Sequence, residues 1–282
     1  MAINCGIVGL PNVGKSTIFK ALTAAPAEAE NYPFCTIEPN VGIVNVNDER
    51  LKNLTEIFSP DKTIPAVFEF VDIAGLVKGA SKGEGLGNQF LGHIRQVDAI
   101  THVVRCFEDE DVIHVNGKVD PLSDIETIDI ELAFADLEVV EKKIGNLPKL
   151  LKSHNKEVSS NAKVLEPTLL KLKEALEDGK SARSLDLSPD DRMLIKDLNL
   201  ITLKDIIYVC NVKEDEIGQS NPHVEKIRKY VNNDDKVIEI CGKIESEISL
   251  LETDDDKAEF MEAVGISESG LSALIRKTYH ML

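Results

Sequence analysis

The segment Gly9-Leu10-Pro11-Asn12-Val13-Gly14-Lys15-Ser16 sets glycines, a lysine and a hydroxyl at the spacing G-x-x-x-x-G-K-[ST]. That spacing suits one kind of chemistry. Glycines let the backbone curl until successive N–H groups point inward at an anion, and a helix starting there adds partial positive charge. A lysine ammonium then reaches the outer phosphates of a nucleoside triphosphate, and the hydroxyl ligates Mg²⁺. Lys15 is the expected catalytic cation and Ser16 the expected metal ligand. Asn12, Val13, Gly14 and Thr17 belong to the same cradle. The motif requires a strand before it and a helix after it. Ile3 to Val8 is a short apolar run that reads as a buried strand, and Thr17 to Leu22 opens an amphipathic helix.

Two further stretches match a nucleotide-dependent switch. Asn31 to Asn40 is rich in turn residues and holds Thr36, which can ligate Mg²⁺ only when a γ-phosphate is present. Val67 to Val71 reads as a strand delivering Asp72-Ile73-Ala74-Gly75. In this pattern the Asp holds Mg²⁺ through water and the Gly N–H senses the γ-phosphate. The next residue is Leu76, where a water-orienting Gln is found in many such enzymes. Leucine cannot orient water, so intrinsic turnover is expected to be slow. Lys78 to Asn88 is too glycine-rich for a stable helix and reads as the second switch loop. His114, flanked by apolar pairs, is a candidate for orienting water or stabilising charge, set against a packed histidine.

The base-reading position follows a third strand. Ile206 to Cys210 delivers Asn211-Val212-Lys213-Glu214 where a guanine-specific enzyme carries Asn-Lys-x-Asp. An Asp there accepts two hydrogen bonds from guanine. Val212 and Glu214 no longer clearly provide that contact, and specificity built on hydrogen bonds falls steeply once a partner is lost. ATP is therefore favoured over GTP, with Asp215 able to take the carboxylate role if the loop bulges. Gly242, after a last strand at Val237 to Cys241, is the expected backbone contact to the base.

These residues need elements to position them. The expected fold is an α/β domain with a parallel-rich sheet, built from residues 1–128 and 200–282, with a helical hairpin or coiled coil inserted at 129–199. Phe90 to Val97 reads as a helix and Ala99 to Phe107 as a strand. Leu132, Leu137, Val140, Ile144, Leu147 and Leu151 form one helical stripe, interrupted near Gly145 and Pro148. After a polar break from Ser153 to Asn161, Leu165, Leu169, Leu172 and Leu176 form a second, stopped at Asp178-Gly179. Ser188-Pro189 opens a short helix, and Gly270 to Met281 is a final one capped by Ser269.

Composition bounds the partners. The 282 residues carry a formal charge of −17, which argues against a generally basic nucleic-acid coat. The five cysteines show no metal spacing, and four lie in or beside apolar runs, as buried reduced thiols do. That composition and the lack of a long apolar run imply a cytoplasmic protein with no membrane partner.

Gly-Leu-Pro-Asn-Val-Gly-Lys-Ser at 9–16, Asn-Tyr-Pro-Phe-Cys-Thr-Ile-Glu-Pro-Asn at 31–40, the run from Val71 to Asn88, and His-Val-Val-Arg-Cys-Phe at 102–107 together resemble the YchF (Obg-like ATPase) family. The Asn-x-x-Glu at 211–214 and Leu76 match the same family. The resemblance implies a Ras-like domain with a coiled-coil insertion, Mg²⁺-dependent ATP hydrolysis and association with ribosomes. It also implies a small β-grasp (TGS) domain after the final helix. Leu282 falls just before that domain is expected, which weakens the expectation of RNA contact. In related enzymes an Asn at the position of Asn12 helps to bind K⁺, which supplies charge near the phosphates. The reading is an ATP-hydrolysing switch. Its rivals are a GTPase of the same fold and a nucleotide-gated adaptor whose hydrolysis is incidental.

Overall fold

A computed structural model describes residues 3–24, 41–73, 86–109, 111–112, 114–115 and 117–282, with the backbone alone at 86–89. Thr36, Gly75, Leu76 and Cys35 lie outside the described residues, as does the expected second switch loop up to residue 85. Backbone packing divides the chain into two compact units, one formed by Met1–Gly75, Val97–Asp124 and Asp205–Leu282, the other by Leu76–Gln96 and Ile125–Lys204.

The first unit is a Ras-like α/β domain around a six-stranded sheet. Its strands are β1 (Ile3–Val8), β2 (Val41–Asn45), β3 (Val67–Asp72), β4 (Ala99–Arg105), β5 (Asp205–Asn211) and β6 (Val237–Ile240). They lie in the order β2-β3-β1-β4-β5-β6. Only β2 runs antiparallel, paired with β3 from Val41↔Val71 to Asn45↔Val67. β1 is central, in register with β3 (Ile7↔Asp72) and with β4 (Val8↔His102). Every residue of β4 is buried, as expected of a strand covered on both faces of a parallel sheet. Because β1 sits between β3 and β4, its carboxyl end opens at a switch in strand order, where α/β sheets bind ligands.

The unit's helices are α1 (Lys15–Thr23), α2 (Glu49–Phe58), α7 (Pro222–Val231), α8 (Gly242–Ser249), α9 (Asp254–Ala263) and α10 (Gly270–Met281). Neither β2 nor α2 is expected from the sequence pattern; α2 buries none of its residues and is fixed locally by Asp48, whose carboxylate accepts from Arg50 N–H. Glu245 on α8 is almost fully buried and caps α10, accepting from Gly270 N at 2.7 Å and Leu271 N at 3.4 Å. Burial pushes this carboxyl up, and the two amide donors oppose that shift.

The second unit is helical: α3 (Leu86–Gln96), most of α4 (Pro121–Leu151), α5 (Lys156–Glu177) and α6 (Pro189–Ile195). Three expectations are corrected here. Helix α4 runs unbroken through Gly145 and Pro148. The proline removes one i→i−4 hydrogen bond from the ladder, and buried Leu147 beside it supplies compensating packing. The polar break shrinks to 152–155, because Asn155 caps α5 by accepting from Glu157 N at 2.9 Å. Leu86, Gly87 and Asn88, read as loop, form the first turn of α3. The two stripes meet as expected, with Val140 and Leu147 buried against Leu165, Leu169, Leu172 and Leu176.

One buried carboxylate ties this unit together. Asp136 is fully buried; it accepts from Ile201 N at 3.0 Å, Thr202 N at 2.7 Å, Thr202 Oγ1 at 2.8 Å and Arg95 Nη1 at 3.0 Å. Arg95 also donates to the carbonyls of Ala135 and Asn199. This joins α3, α4 and the segment leading to β5. Breaking such a pair leaves buried groups uncompensated, so Asp136→Ala should lower stability by about 3–5 kcal/mol in urea unfolding, whereas Lys173→Ala, at a solvent-screened surface pair, should change it far less. Equal effects would remove Asp136 from this role.

Candidate nucleotide-binding site

The glycine-rich loop leaves β1 at Val8 and enters α1 at Lys15. Two of its glycines are required by geometry. A Cβ on Gly9 would lie 2.7 Å from the carbonyl oxygen of Val103, so only glycine allows the loop to cross β4 that closely. Gly14 has φ +92, and a Cβ there would lie 2.1 Å from Asn211 Nδ2. Gly14 is also the N-cap of α1 and offers no side-chain cap. The first amides of α1 are thus left for an anion. Asn12 holds a left-handed conformation too, at φ +62. Lys15 is ion-paired with Asp72 at the end of β3. Two residues singled out for phosphate and metal chemistry therefore meet, although they lie on different strands' loops. Ser16 and Thr17 are exposed in the first turn of α1.

Asn211, at the end of β5, is almost buried and bridges two loops. Its Nδ2 donates to Val13 O at 2.9 Å, and its Oδ1 accepts from Gly242 N at 3.0 Å. One side chain thus sets the distance between the phosphate loop and the segment after β6. Asn221 ties a second pair of segments, donating to Cys106 O at 3.1 Å and Glu216 Oε2 at 3.2 Å while capping α7. Between these loops lies a cleft of about 750 Å³, lined by Asn12, Gly14 and Thr17, by Phe107, Asp109 and Val112, and by 211–215, 241–243 and 246–247. That volume lies within the range of small-ligand sites. At its lip, Lys243 Nζ donates to Glu214 Oε2 at 2.6 Å. Val212 is buried, with its N–H donated to Ile240 O at 2.9 Å.

The wall at 107–112 is missed by sequence motifs. Arg105 is 1% exposed and donates to the carbonyls of Phe107 at 3.0 Å, Val112 at 2.8 Å and Asp109 at 3.2 Å. Its guanidinium lies over the Phe107 ring, 4.6 Å from the centroid. The available signal is an arginine ending a buried strand, since a buried cation needs partners. The structure places His114 in a buried pair, its Nε2 2.9 Å from Asp124 Oδ2. Burial pushes the Cys5 thiol up to about 12 and raises those of Cys106 and Cys241 as well.

Residues 4–143 match the family described as 50S ribosome-binding GTPase. A protein of Bacillus subtilis named ribosome-binding ATPase YchF is 56% identical across all of this chain and 76% of its own length. Its namesake in Escherichia coli O157:H7 is 49% identical over the same shares. The chain belongs to the YchF family. A solved structure described as the Schizosaccharomyces pombe YchF GTPase superposes with a TM-score of 0.84 at 38% identity, over 99% of this chain and 75% of that one. The YchF relatives thus carry both ATPase and GTPase in their names, which directs attention to the base end of the cleft.

There the Asn211 bridge is the element most open to test. Asn211→Ala orphans a buried carbonyl and a buried N–H, so stability should fall by about 1–3 kcal/mol. Nucleotide affinity should fall with it. Denaturant unfolding alongside a fluorescent-ATP titration checks both, and unchanged affinity would mean that the bridge does not shape the cleft.

Proposed function

We propose that this chain is a Mg²⁺-dependent ATP-binding and ATP-hydrolysing switch that acts on the ribosome. The observation that carries the nucleotide choice is the Glu214–Lys243 pair beside buried Val212. Guanine recognition needs a carboxylate free to accept from the ring N1–H and the exocyclic 2-amino group, and here the carboxylate faces an ammonium across the cleft lip. Adenine offers an acceptor at the corresponding ring position and loses nothing. Ribosome association rests on the names of the relatives. A GTPase of the same fold is the second reading, favoured by Asp215, which lines the cleft next to Glu214.

In this reading the loop amides and Lys15 hold the triphosphate, and Asn211, Val212 and Gly242 frame the base. Residues 1–128 and 200–282 supply the nucleotide domain and 129–199 its helical insertion, with 76–96 grouped by packing with the insertion. The residues fit Mg²⁺: Asp72 presents a carboxylate beside Lys15, Ser16 lies exposed in the first turn of α1, and the described residues hold no larger His/Cys/Asp/Glu cluster. A magnesium site completed by substrate phosphates and water needs few protein ligands. When bound, the ion supplies charge that offsets what builds up on the phosphate oxygens. Thr36 and Gly75 sense the γ-phosphate, and its loss releases their loops. Asn12 contributes to a K⁺ site. His114, held by Asp124, is kept as a candidate for positioning water. The protein works in the cytoplasm; among the described residues no helix is long and apolar enough to cross a membrane.

Fluorescent ATP and GTP titrations with Mg²⁺ test the base reading. ATP should bind at least about 10-fold tighter, and Val212→Lys with Glu214→Asp should shift the preference toward GTP. Tighter GTP binding by the unaltered chain would make it a GTPase. Turnover should be faster in KCl than in NaCl; equal rates would sink the K⁺ role of Asn12.

A further inference from the structure

Two polar side chains are buried together just beyond the 107–112 wall. His114 is 7% exposed and Asp124 is 2% exposed, and His114 Nε2 lies 2.9 Å from Asp124 Oδ2. Both belong to the first compact unit. His114 follows Val112, a cleft residue, by two positions, which places their Cα atoms no more than about 7 Å apart. The backbone on either side is fixed. Arg105 Nη1 donates to Val112 O at 2.8 Å, and Gly117 N donates to His114 O at 2.9 Å in a turn where Gly117 takes φ +72. Asp124 sits in the first turn of α4, where its N–H donates to Asp120 O at 3.0 Å, and buried Ile125 and Ile128 follow it.

Stability alone does not explain this pair. Burying a carboxylate against a partner costs solvation that the attraction only partly returns, and apolar residues of similar volume often serve as well. Asp136 differs in kind, because its carboxylate joins three segments by accepting from four donors. Asp124 faces a ring whose two nitrogens exchange roles with the tautomer. What it can fix is the position of a proton. An ionised carboxylate only accepts, and the first turn of a helix favours its negative charge. Nε2 must then carry the hydrogen, and in the neutral ring Nδ1 carries the lone pair. A ring held in this way offers one fixed acceptor for the O–H of a water, which Leu76 in the expected glutamine position cannot offer.

We propose that Asp124 is a positioning residue for hydrolysis: it holds His114 as the Nε2–H tautomer, so that Nδ1 accepts from the attacking water. Asp124 acts through the ring and touches neither water nor nucleotide. This deepens, and rests on, the reading of His114 as the residue that positions water.

The test uses the full chain and the variants D124N, H114A and H114A/D124N. Asparagine keeps the size and shape of aspartate but can turn its amide N–H toward Nε2, which moves the hydrogen to Nδ1. Selective ¹⁵N-histidine labelling with long-range ¹H–¹⁵N correlation spectra reads the tautomer directly, and the His114 signals are those lost in H114A. Steady-state ATP hydrolysis gives kcat and KM, with fluorescent-ATP binding and thermal unfolding in parallel. His114 should be the Nε2–H tautomer in the wild type and the Nδ1–H tautomer in D124N. Both single variants should lower kcat about 100-fold while KM and ATP affinity hold. In the H114A background D124N should lower kcat no further, because residues that act through one group are not additive. A merely structural Asp124 would lower it again. Such an additive loss would overturn the proposal, as would a wild-type His114 that is Nδ1–H or carries both protons at neutral pH. The wild-type tautomer is read without any variant, so the proposal stays open to refutation even where D124N does not fold. If H114A loses turnover while D124N keeps it, the water-positioning reading of His114 stands and Asp124 has no part in it. If H114A turns over at the wild-type rate, that reading falls and the proposal falls with it.

Discussion

The cleft depends on a primary amide. Asn211 brings one donor and one acceptor to the end of β5, and each finds a backbone partner on a different loop. A carboxylate could not donate to Val13 O, and a hydroxyl is too short to span both loops. The same side chain lies where any Cβ on Gly14 would intrude, so the glycine and the asparagine constrain each other although they lie far apart in sequence. Phosphate loop, β5 end and β6 end are held as one body, which lets a preformed site bind without ordering its walls anew.

Around that amide the site is built from groups that satisfy backbone and leave their outer faces to a ligand. Arg105 spends its guanidinium on three carbonyls of the 107–112 wall. Asn221 joins that wall to the segment carrying Glu216. Lys15 and Asp72 pair at the other end, a partly buried cation and anion at the place where phosphate and metal are expected. Such a pair keeps both charges compensated near the protein interior, where an isolated one would be costly. The helical unit follows a similar logic with Asp136, whose four donors come from α3 and from the segment after α6.

Much of the site was legible because its motifs encode local backbone geometry. Gly14 takes a left-handed conformation and the helix starts at Lys15, two residues before the expected Thr17, and both features fall within a few residues of sequence. The β3, β5 and β6 ends were legible for a similar reason, since short apolar runs followed by polar turns are local signals. Arg105, Phe107 and Asn221 were not, because their partners are set by folding: the carbonyls that need a donor exist only once the loop after β4 has curled back. Helix α2 escaped notice because it buries no residue, and burial is what periodicity reports. The course of α4 through Pro148 was hidden as well, since packing of Leu147 outweighs one missing hydrogen bond.

The amino-acid sequence by itself determined the chemistry on offer: a phosphate cradle with its lysine, a carboxylate for a metal, an altered base-reading segment and a membership in the YchF family. It also determined the two apolar stripes, because helical periodicity is a property of neighbours in the chain. The tertiary structure decided which of those groups meet. It paired Lys15 with Asp72, turned Glu214 toward Lys243 and placed His114 against Asp124. The physical reason is range. Backbone conformation is set within a few residues, while hydrogen bonds and ion pairs depend on separations that only the closed sheet and the packed helices define.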